Sequence, residues 1–164
     1  MRRLLLALVV VAGCSGKRVD PVMLREAPSD LAVDVMVFGE DGPRVVRSRR
    51  PARYLLETGG VLRAEVGTTQ PRRVYPGVTR RLTSGQVDGV WRLLSESGLL
   101  AEESTGRVSG EGVTRPSRGQ TTALVTARYA GVTRSFRATL GEGGDDSRRA
   151  EEIVDRLASL AGER

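Results

Sequence analysis

The sequence predicts an α+β fold, in which a small antiparallel sheet built from hairpins has two helices packed on one face. Two pairs of strand-like segments are each joined by a short turn that contains glycine, which is typical of antiparallel hairpins. Two segments with helical apolar spacing follow the hairpins and do not alternate with single strands, as a doubly wound parallel sheet would require. With 164 residues, 39% hydrophobic and 28% charged, the chain can form one packed domain.

The first strand and the first hairpin are predicted from alternating apolar residues. Every second residue from 31 to 38 is leucine or valine, and the positions between are partly apolar, so a well-covered strand is expected. Segments 52–57 and 61–66 flank Thr58-Gly59-Gly60, where the glycines supply the positive φ that a hairpin turn needs. The stretches outside these segments, 40–51 and 67–77, are predicted to be a polar excursion and a loop.

The clearest local signal is a helix between Leu82 and Leu99. Thr83 and Gln86 have the T-x-x-Q spacing of a capping box, in which each residue satisfies an amide at the start of the helix. Apolar residues then recur with helical spacing at Val87, Val90, Trp91 and Leu94. Trp91 is therefore expected in the core, the alternative being an exposed anchor for a partner. Gly98 is expected to end the helix in the left-handed conformation.

A second hairpin and a second helix are predicted in the carboxyl-terminal half. Strands at 121–129 and 132–140 meet at Ala130-Gly131. A helix is predicted over 147–160, because its apolar residues form one stripe: Ala150, Ile153, Val154, Leu157 and Leu160. Residues 101–120 are polar and rich in glycine, and they form either a mobile loop or an irregular edge.

Several classes of chemical site lack the side chains that they need. The sequence has no histidine and one cysteine, which excludes His-based catalytic triads, His/Cys zinc sites and internal disulfides. Asp145, Asp146 and Glu142 carry the oxygens that calcium binds but not the required spacing. The two aspartates are therefore expected to cap the last helix and to complement its dipole. No metal and no cofactor are expected.

Adjacent carboxylates leave one catalytic alternative open. Glu102 with Glu103, and Glu151 with Glu152, are adjacent acidic pairs, and glycoside hydrolysis needs two carboxyl groups roughly 5–9.5 Å apart. Such enzymes normally also present aromatic side chains to a carbohydrate, and only 4% of this chain is aromatic. A non-enzymatic protein is therefore the first expectation, and a polysaccharide hydrolase is the alternative.

The amino-terminal residues have the organisation of a secretory signal peptide. Arg2 and Arg3 give a positive start, residues 4–11 are all apolar, and the small residues Ala12 and Gly13 follow. The apolar stretch is far shorter than the roughly 20 residues of a membrane-spanning helix. These features predict export rather than a transmembrane segment.

The end of this stretch, Val11-Ala12-Gly13-Cys14, resembles the lipobox of bacterial lipoproteins. In that class the chain is cut before the cysteine, and the thiol carries a diacylglycerol. The resemblance covers residues 1–14 alone and implies that a covalent lipid at Cys14 holds the chain to a membrane. Because Ser15 is not aspartate, the resemblance favours the outer membrane in a cell that has one.

The resemblance and the composition of the remaining residues together predict the organisation of the chain. The resemblance implies a signal peptide at 1–13 and a lipidated cysteine at 14. Two prolines and charges without periodicity predict that the stretch 14–29 continues as a flexible tether, and the strand and helix patterns predict a single α+β domain at 30–162. An exported and tethered protein rarely meets nucleic acid, so nucleic acid is not expected as a partner.

An arginine-rich run is the main candidate for binding. Five arginines lie within ten residues: Arg44, Arg47, Arg49, Arg50 and Arg53. Guanidinium groups bind phosphate and carboxylate, so the run is a candidate contact for an anionic lipid, an anionic polysaccharide or an acidic envelope protein. The alternative is a solvated loop beside a protected sheet edge. A weaker run with the same alternative consists of Arg72, Arg73, Arg80 and Arg81.

These features together predict an exported lipoprotein with a non-catalytic binding or assembly role in the cell envelope. The arginine-rich run or residues 101–120 would form its contact surface. Inhibition of a secreted hydrolase is a further alternative, because it needs the same kind of surface but a protein target.

Overall fold

A computed structural model of the chain describes residues 26–40, 42–67, 75–98, 100 and 119–162. The predicted signal peptide, Cys14 and most of the predicted tether lie outside the described residues, as does the stretch 101–118. The predictions made for those parts therefore stay predictions.

Six strands, two α-helices and a single 3₁₀ turn, Arg47–Arg49, are the regular elements of the described residues. In chain order the strands and α-helices are β1 (Ala32–Phe38), β2 (Ala52–Leu56), β3 (Val61–Val66), β4 (Val78–Arg81), α1 (Ser84–Glu96), β5 (Thr121–Tyr129), β6 (Val132–Leu140) and α2 (Asp145–Ala161). The strands form one sheet in the order β4-β3-β2-β1-β5-β6, and every neighbouring pair is antiparallel. This architecture confirms the predicted α+β class and both predicted hairpins.

The core lies between one face of the sheet and the two helices. The sheet contributes fully buried side chains that include Val33, Val35, Tyr54, Leu56 and Val125. The helices contribute Val90, Trp91 and Leu94 from α1, and Ile153, Val154 and Leu157 from α2. Trp91 is 1% exposed, and its ring centroid lies 5.1 Å from that of Tyr129. Trp91 is therefore a core residue, and its alternative role as an exposed anchor is wrong.

The start and end of α1 follow the sequence prediction. The Gln86 amide donates to Thr83 Oγ1 at 3.3 Å, and the Thr83 amide donates to Gln86 Oε1 at 2.9 Å, which completes the capping box. Beyond the helix, Gly98 has φ +69°, the left-handed conformation expected of a stop residue.

The sheet has one more strand than the five that the sequence predicts. Residues 78–81, which follow the predicted 67–77 loop, form β4 at the edge of the sheet beside β3. All four residues of β4 are exposed, so no burial pattern marks the strand in the sequence. The pairing shifts register between Leu62 and Arg63, an irregularity typical of a protected edge.

The last helix begins earlier than predicted, and its two aspartates do not cap it. Its N-cap is Gly144, which has no side chain to accept a hydrogen bond, and Asp145 and Asp146 occupy the first turn. Asp145 binds Arg148 through a 2.7 Å contact. The aspartates can still complement the dipole from this turn, because the negative charges lie beside the amino end of the helix.

The first described residues already contact the domain. The Ala27 amide donates to Asp88 Oδ1 of α1 at 2.9 Å. The Asp30 carboxylate accepts from the amides of Ala130 and Gly131, at 2.8 and 2.9 Å, in the turn between β5 and β6. Residues 27–29, the end of the predicted tether, are therefore held against the domain.

Candidate functional site

The five arginines of the first run do not form one surface. Arg53 lies on β2, on the face of the sheet away from the helices, and binds Asp34 of β1. Two contacts join them, Arg53 Nη2 to Asp34 Oδ2 at 2.7 Å and Arg53 Nε to Asp34 Oδ1 at 3.2 Å. The hydrogen bond to Asp34 raises the pKa of Arg53. This charge is largely neutralised by Asp34.

Arg49 and Arg50 are also engaged within the domain. Arg49 donates from Nε to Glu151 Oε1 of α2 at 3.3 Å, and its guanidinium lies against the backbone of Gly141. Arg50 donates from Nε to the carbonyl oxygen of Val45 at 3.3 Å. Arg44 is exposed in the preceding turn. The run therefore distributes its charges over different neighbours.

Arg47 is the arginine of the run that faces a groove. It begins a single turn of 3₁₀ helix, Arg47–Arg49, which packs beside α2. The groove between them has a volume of about 810 Å³, and its lining includes Val46, Arg47, Leu93, Glu152, Asp155 and Arg156. The side chain of Val46 is 53% exposed at its rim.

The charges in this groove are of both signs. Burial raises the pKa of Asp155, the nearby charge of Arg47 lowers it, and the charge of Glu151 raises it. The net direction is upward, so burial outweighs the attraction to Arg47. None of Arg47, Glu152, Asp155 and Arg156 forms an ion pair with another described residue. The groove can therefore offer donors, acceptors and an apolar rim to a partner.

Two acidic residues that are adjacent in the sequence, Glu151 and Glu152, have different surroundings in the structure. Glu151 faces Arg49 while its neighbour Glu152 lines the groove, so this adjacent pair is split. Asp155 joins Glu152 instead, because residues three apart share a face of a helix. The spacing of three residues between Glu152 and Asp155 in a predicted helix was the sequence signal that could have identified Asp155 as a lining residue. Glu102 and Glu103 lie outside the described residues.

Glu142 and Asp145, whose spacing does not match a calcium site, have separate partners. Glu142 accepts from Gln120 Nε2 at 3.2 Å, and Asp145 binds Arg148. Among the described residues, no three His, Cys, Asp or Glu side chains are grouped so that they could hold a metal ion.

The second arginine run borders an exposed edge of the sheet. We call β4 together with Tyr75 the β4 edge. Tyr75 is 56% exposed and Val78 is 62% exposed. Arg80 Nη1 donates to the carbonyl oxygen of Leu160 at 3.0 Å, and Arg81 Nη1 donates to that of Gly59 at 3.4 Å. Arg72 and Arg73 lie outside the described residues.

Comparisons with known proteins leave this geometry as the main guide to function. The chain matches no protein-family model and no curated protein sequence. Within the part of the chain that the structure describes, neither helix is long and apolar enough to cross a membrane.

Proposed function

We propose that this chain is a lipid-anchored, non-catalytic module of a bacterial cell envelope, which binds a partner through the groove beside Arg47. The observation that carries the anchor is the position of Cys14, the sole cysteine of the chain, directly after Val11-Ala12-Gly13 at the end of a short apolar stretch. Each methylene of an acyl chain buried in the bilayer contributes about 0.8 kcal/mol, so several acyl chains make a lasting anchor.

Partner binding at the groove is supported by its exposed and unpaired groups. Val46 offers apolar surface at the rim, and the four charged side chains of the lining have no ion-pair partner among the described residues. Apolar surface combined with a few polar groups that can orient a partner is typical of a binding pocket. A partner with both charges, such as an envelope protein, fits this lining better than a purely anionic one.

The anchor is tested by the Cys14→Ser substitution. The mature wild-type chain should have the mass of residues 14–164 plus diacylglycerol and an amide-linked acyl chain, and it should partition into detergent. The variant should keep its signal peptide and lose both properties. Ser15→Ala is the matched control and should behave as wild type. Equal mass and equal partitioning of wild type and Cys14→Ser would rule out the anchor.

The groove is tested by a photo-cross-linking residue placed at Val46 in the full chain. Irradiation in cells should give a discrete adduct, and Asp155→Asn with Glu152→Gln should remove it. The same cross-linker at the exposed Thr133 on β6 is the control and should give no such adduct. Indistinguishable patterns at the two positions would contradict binding at the groove. An adduct with a secreted hydrolase would identify the module as an inhibitor.

A second candidate function, hydrolysis of wall polysaccharide, is favoured by one observation. Glu152 and Asp155 line the same groove, and residues three apart on a helix have Cβ atoms about 5–6 Å apart, near the range of paired catalytic carboxylates. The raised pKa of Asp155 suits a general acid. The described lining, however, contains no aromatic side chain to hold a sugar ring.

Digestion of purified peptidoglycan separates the two functions. The full chain should release no more soluble fragments than the buffer control. Release that disappears in Asp155→Asn would establish the enzyme instead. Circular dichroism of the variant would show that the loss does not come from unfolding.

A further inference from the structure

We infer that the β4 edge is a second contact surface, which lies against an anionic phospholipid bilayer. This inference rests on the proposed function and deepens it, because it assigns the side of the anchored domain that meets the membrane. It depends on three observations: the exposed apolar side chains of the edge, the charges that remain on its arginines, and its position beside the first described residues of the chain.

Two large apolar side chains are exposed together at the β4 edge. Tyr75 and Val78 are two of the three large hydrophobic residues that are exposed among those described. Both neighbour Arg63, whose guanidinium lies 4.7 Å from the centroid of the Tyr75 ring and whose backbone pairs with Val78. A tyrosine ring with an apolar body and a polar tip is favoured at the boundary between lipid and water.

The acidic residue at this edge is already compensated. Glu57 Oε1 lies 3.1 Å from Arg63 Nε and also accepts a hydrogen bond from the Tyr75 hydroxyl. The hydrogen bond from Tyr75 lowers the pKa of Glu57, and Arg63 lowers it further. The negative charge of Glu57 is therefore balanced by Arg63 and does not oppose an anionic surface.

The two arginines of β4 keep their positive charge. Arg80 and Arg81 each donate to a carbonyl oxygen, which has no net charge to cancel that of the guanidinium. Arg49 and Arg53 of the first run are instead bound by carboxylates. The β4 edge therefore offers two positive charges beside its exposed apolar side chains, a combination that complements an anionic lipid surface.

The chain reaches the domain beside this edge. Ala27, Gly59 and Leu82 line one cavity of about 300 Å³, and Leu82 directly follows β4. Arg81 also contacts the carbonyl oxygen of Gly59. The stretch from Cys14 to Glu26 can span at most about 40 Å when fully extended. A lipid at Cys14 would therefore hold Glu26 within that distance of the bilayer, next to the cavity that Ala27 shares with Leu82 at the carboxyl end of β4.

The test uses a full-length chain whose sole cysteine is at the edge, made by combining Cys14→Ser with Val78→Cys and labelled with a polarity-sensitive fluorophore. The labelled chain is mixed with phosphatidylcholine vesicles, with or without phosphatidylglycerol. We expect emission to move to shorter wavelength on the vesicles that contain phosphatidylglycerol and to return in high salt. Cys14→Ser with Thr133→Cys places the probe on the exposed part of β6 and should show no shift.

Arginine variants provide the second arm of the test. Arg80→Gln with Arg81→Gln should lower the affinity for vesicles that contain phosphatidylglycerol by about 30-fold, because each arginine near an anionic surface contributes about 1 kcal/mol. Arg44→Gln with Arg50→Gln removes the same charge elsewhere and should lower the affinity much less. Circular dichroism is used to show that each variant is folded.

Two results would overturn the inference. Equal emission from position 78 on the two kinds of vesicle, or an unchanged affinity of Arg80→Gln with Arg81→Gln for the vesicles that contain phosphatidylglycerol, would mean that the edge does not contact anionic lipid. An acidic protein would then be the partner to examine. Because this chain lacks Cys14, the outcome is independent of lipidation, which is judged separately from the mass of the wild-type protein.

Discussion

Gly141 leaves the space that the guanidinium of Arg49 occupies when it joins the arginine-rich run to α2. Its φ is +88°, a conformation that other residues rarely adopt, and a Cβ at this position would lie 2.7 Å from Cζ of Arg49. The same guanidinium binds Glu151. A side chain at position 141 would therefore displace Arg49 and weaken the contact between the run and α2.

Gly141→Ala tests this attachment. We expect it to lower the free energy of unfolding by more than the roughly 1–2 kcal/mol that a left-handed backbone costs alanine. Gly143→Ala is the matched control, because Gly143 has φ +75° and open space around it. Urea denaturation of both variants measures the difference, which should disappear when Arg49→Ala is present. Equal destabilisation of the two variants would contradict the close contact.

Asp30 is the residue through which we expect stability to depend on pH, because its carboxylate accepts two amide hydrogen bonds in the turn between β5 and β6. Hydrogen bonds from the amides of Gly131 and Ala130 lower its pKa below the ordinary value of 3.8. A lowered pKa in the folded state means that the stabilisation is complete above the unfolded value and is lost as pH falls through the folded value. Asp30 should therefore support the fold at neutral pH and stop doing so in strong acid.

Asp30→Asn should accordingly be less stable than wild type at pH 7, and the difference should shrink as the pH is lowered from about 5 to about 2. Urea denaturation over this pH range measures the effect. Glu40→Gln, at an exposed carboxylate, is the control. A constant difference between wild type and Asp30→Asn would show that the charge of Asp30 is not responsible.

At the scale of secondary-structure elements, the best predicted feature is the one whose signals are local. The capping box, the apolar stripe and Gly98 identify α1 because residues near in sequence determine all three. β4 was missed because its four residues are all exposed and only the backbone pairing with β3 defines the strand. Periodicity cannot reveal a strand that buries neither face.

The capping box should account for a measurable part of the stability of α1. Thr83→Ala removes the acceptor for the Gln86 amide and should cost about 1 kcal/mol. Thr83→Ser keeps a hydroxyl at the same position and should cost much less. Thermal unfolding monitored by circular dichroism compares the two. A loss in Thr83→Ser as large as in Thr83→Ala would assign the effect to packing rather than to capping.

The candidate site was only partly predictable for a related reason. The arginine-rich run was found from composition, but its members diverge because the 3₁₀ turn and β2 direct neighbouring residues to different surroundings. Arg47 reaches the groove, Arg49 reaches Glu151 and Arg53 reaches Asp34 on the other face of the sheet. Which carboxylate meets which arginine depends on tertiary packing, and a single sequence carries no local signal for it.

At the scale of the whole molecule, one core joins the sheet to both helices. Trp91, the single tryptophan of the chain, is buried in it against Tyr129 of β5. Tryptophan fluorescence therefore reports packing between a helix and the sheet, whereas far-ultraviolet circular dichroism reports secondary structure throughout. The two signals observe the same cooperative unit if the described domain unfolds in one step.

We expect emission from Trp91 to be blue-shifted in the native protein, and its urea transition to coincide with that of circular dichroism. Trp91→Phe should be destabilised by about 1–3 kcal/mol, because the smaller ring leaves part of its space empty. Midpoints that differ between the two probes in the wild-type protein would show that α1 separates from the sheet before the rest unfolds.

The position of β1 has a consequence for how the protein is made. It is the first strand of the described residues, yet it lies inside the sheet, with β2 on one side and β5 on the other. During synthesis or translocation from the amino end, β5, its second neighbour in the sheet, emerges only after most of the chain. In any fragment that stops short of Thr121, the backbone N–H and C=O groups of β1 lack their hydrogen-bond partners in β5. These groups can then pair with a strand of another nascent chain.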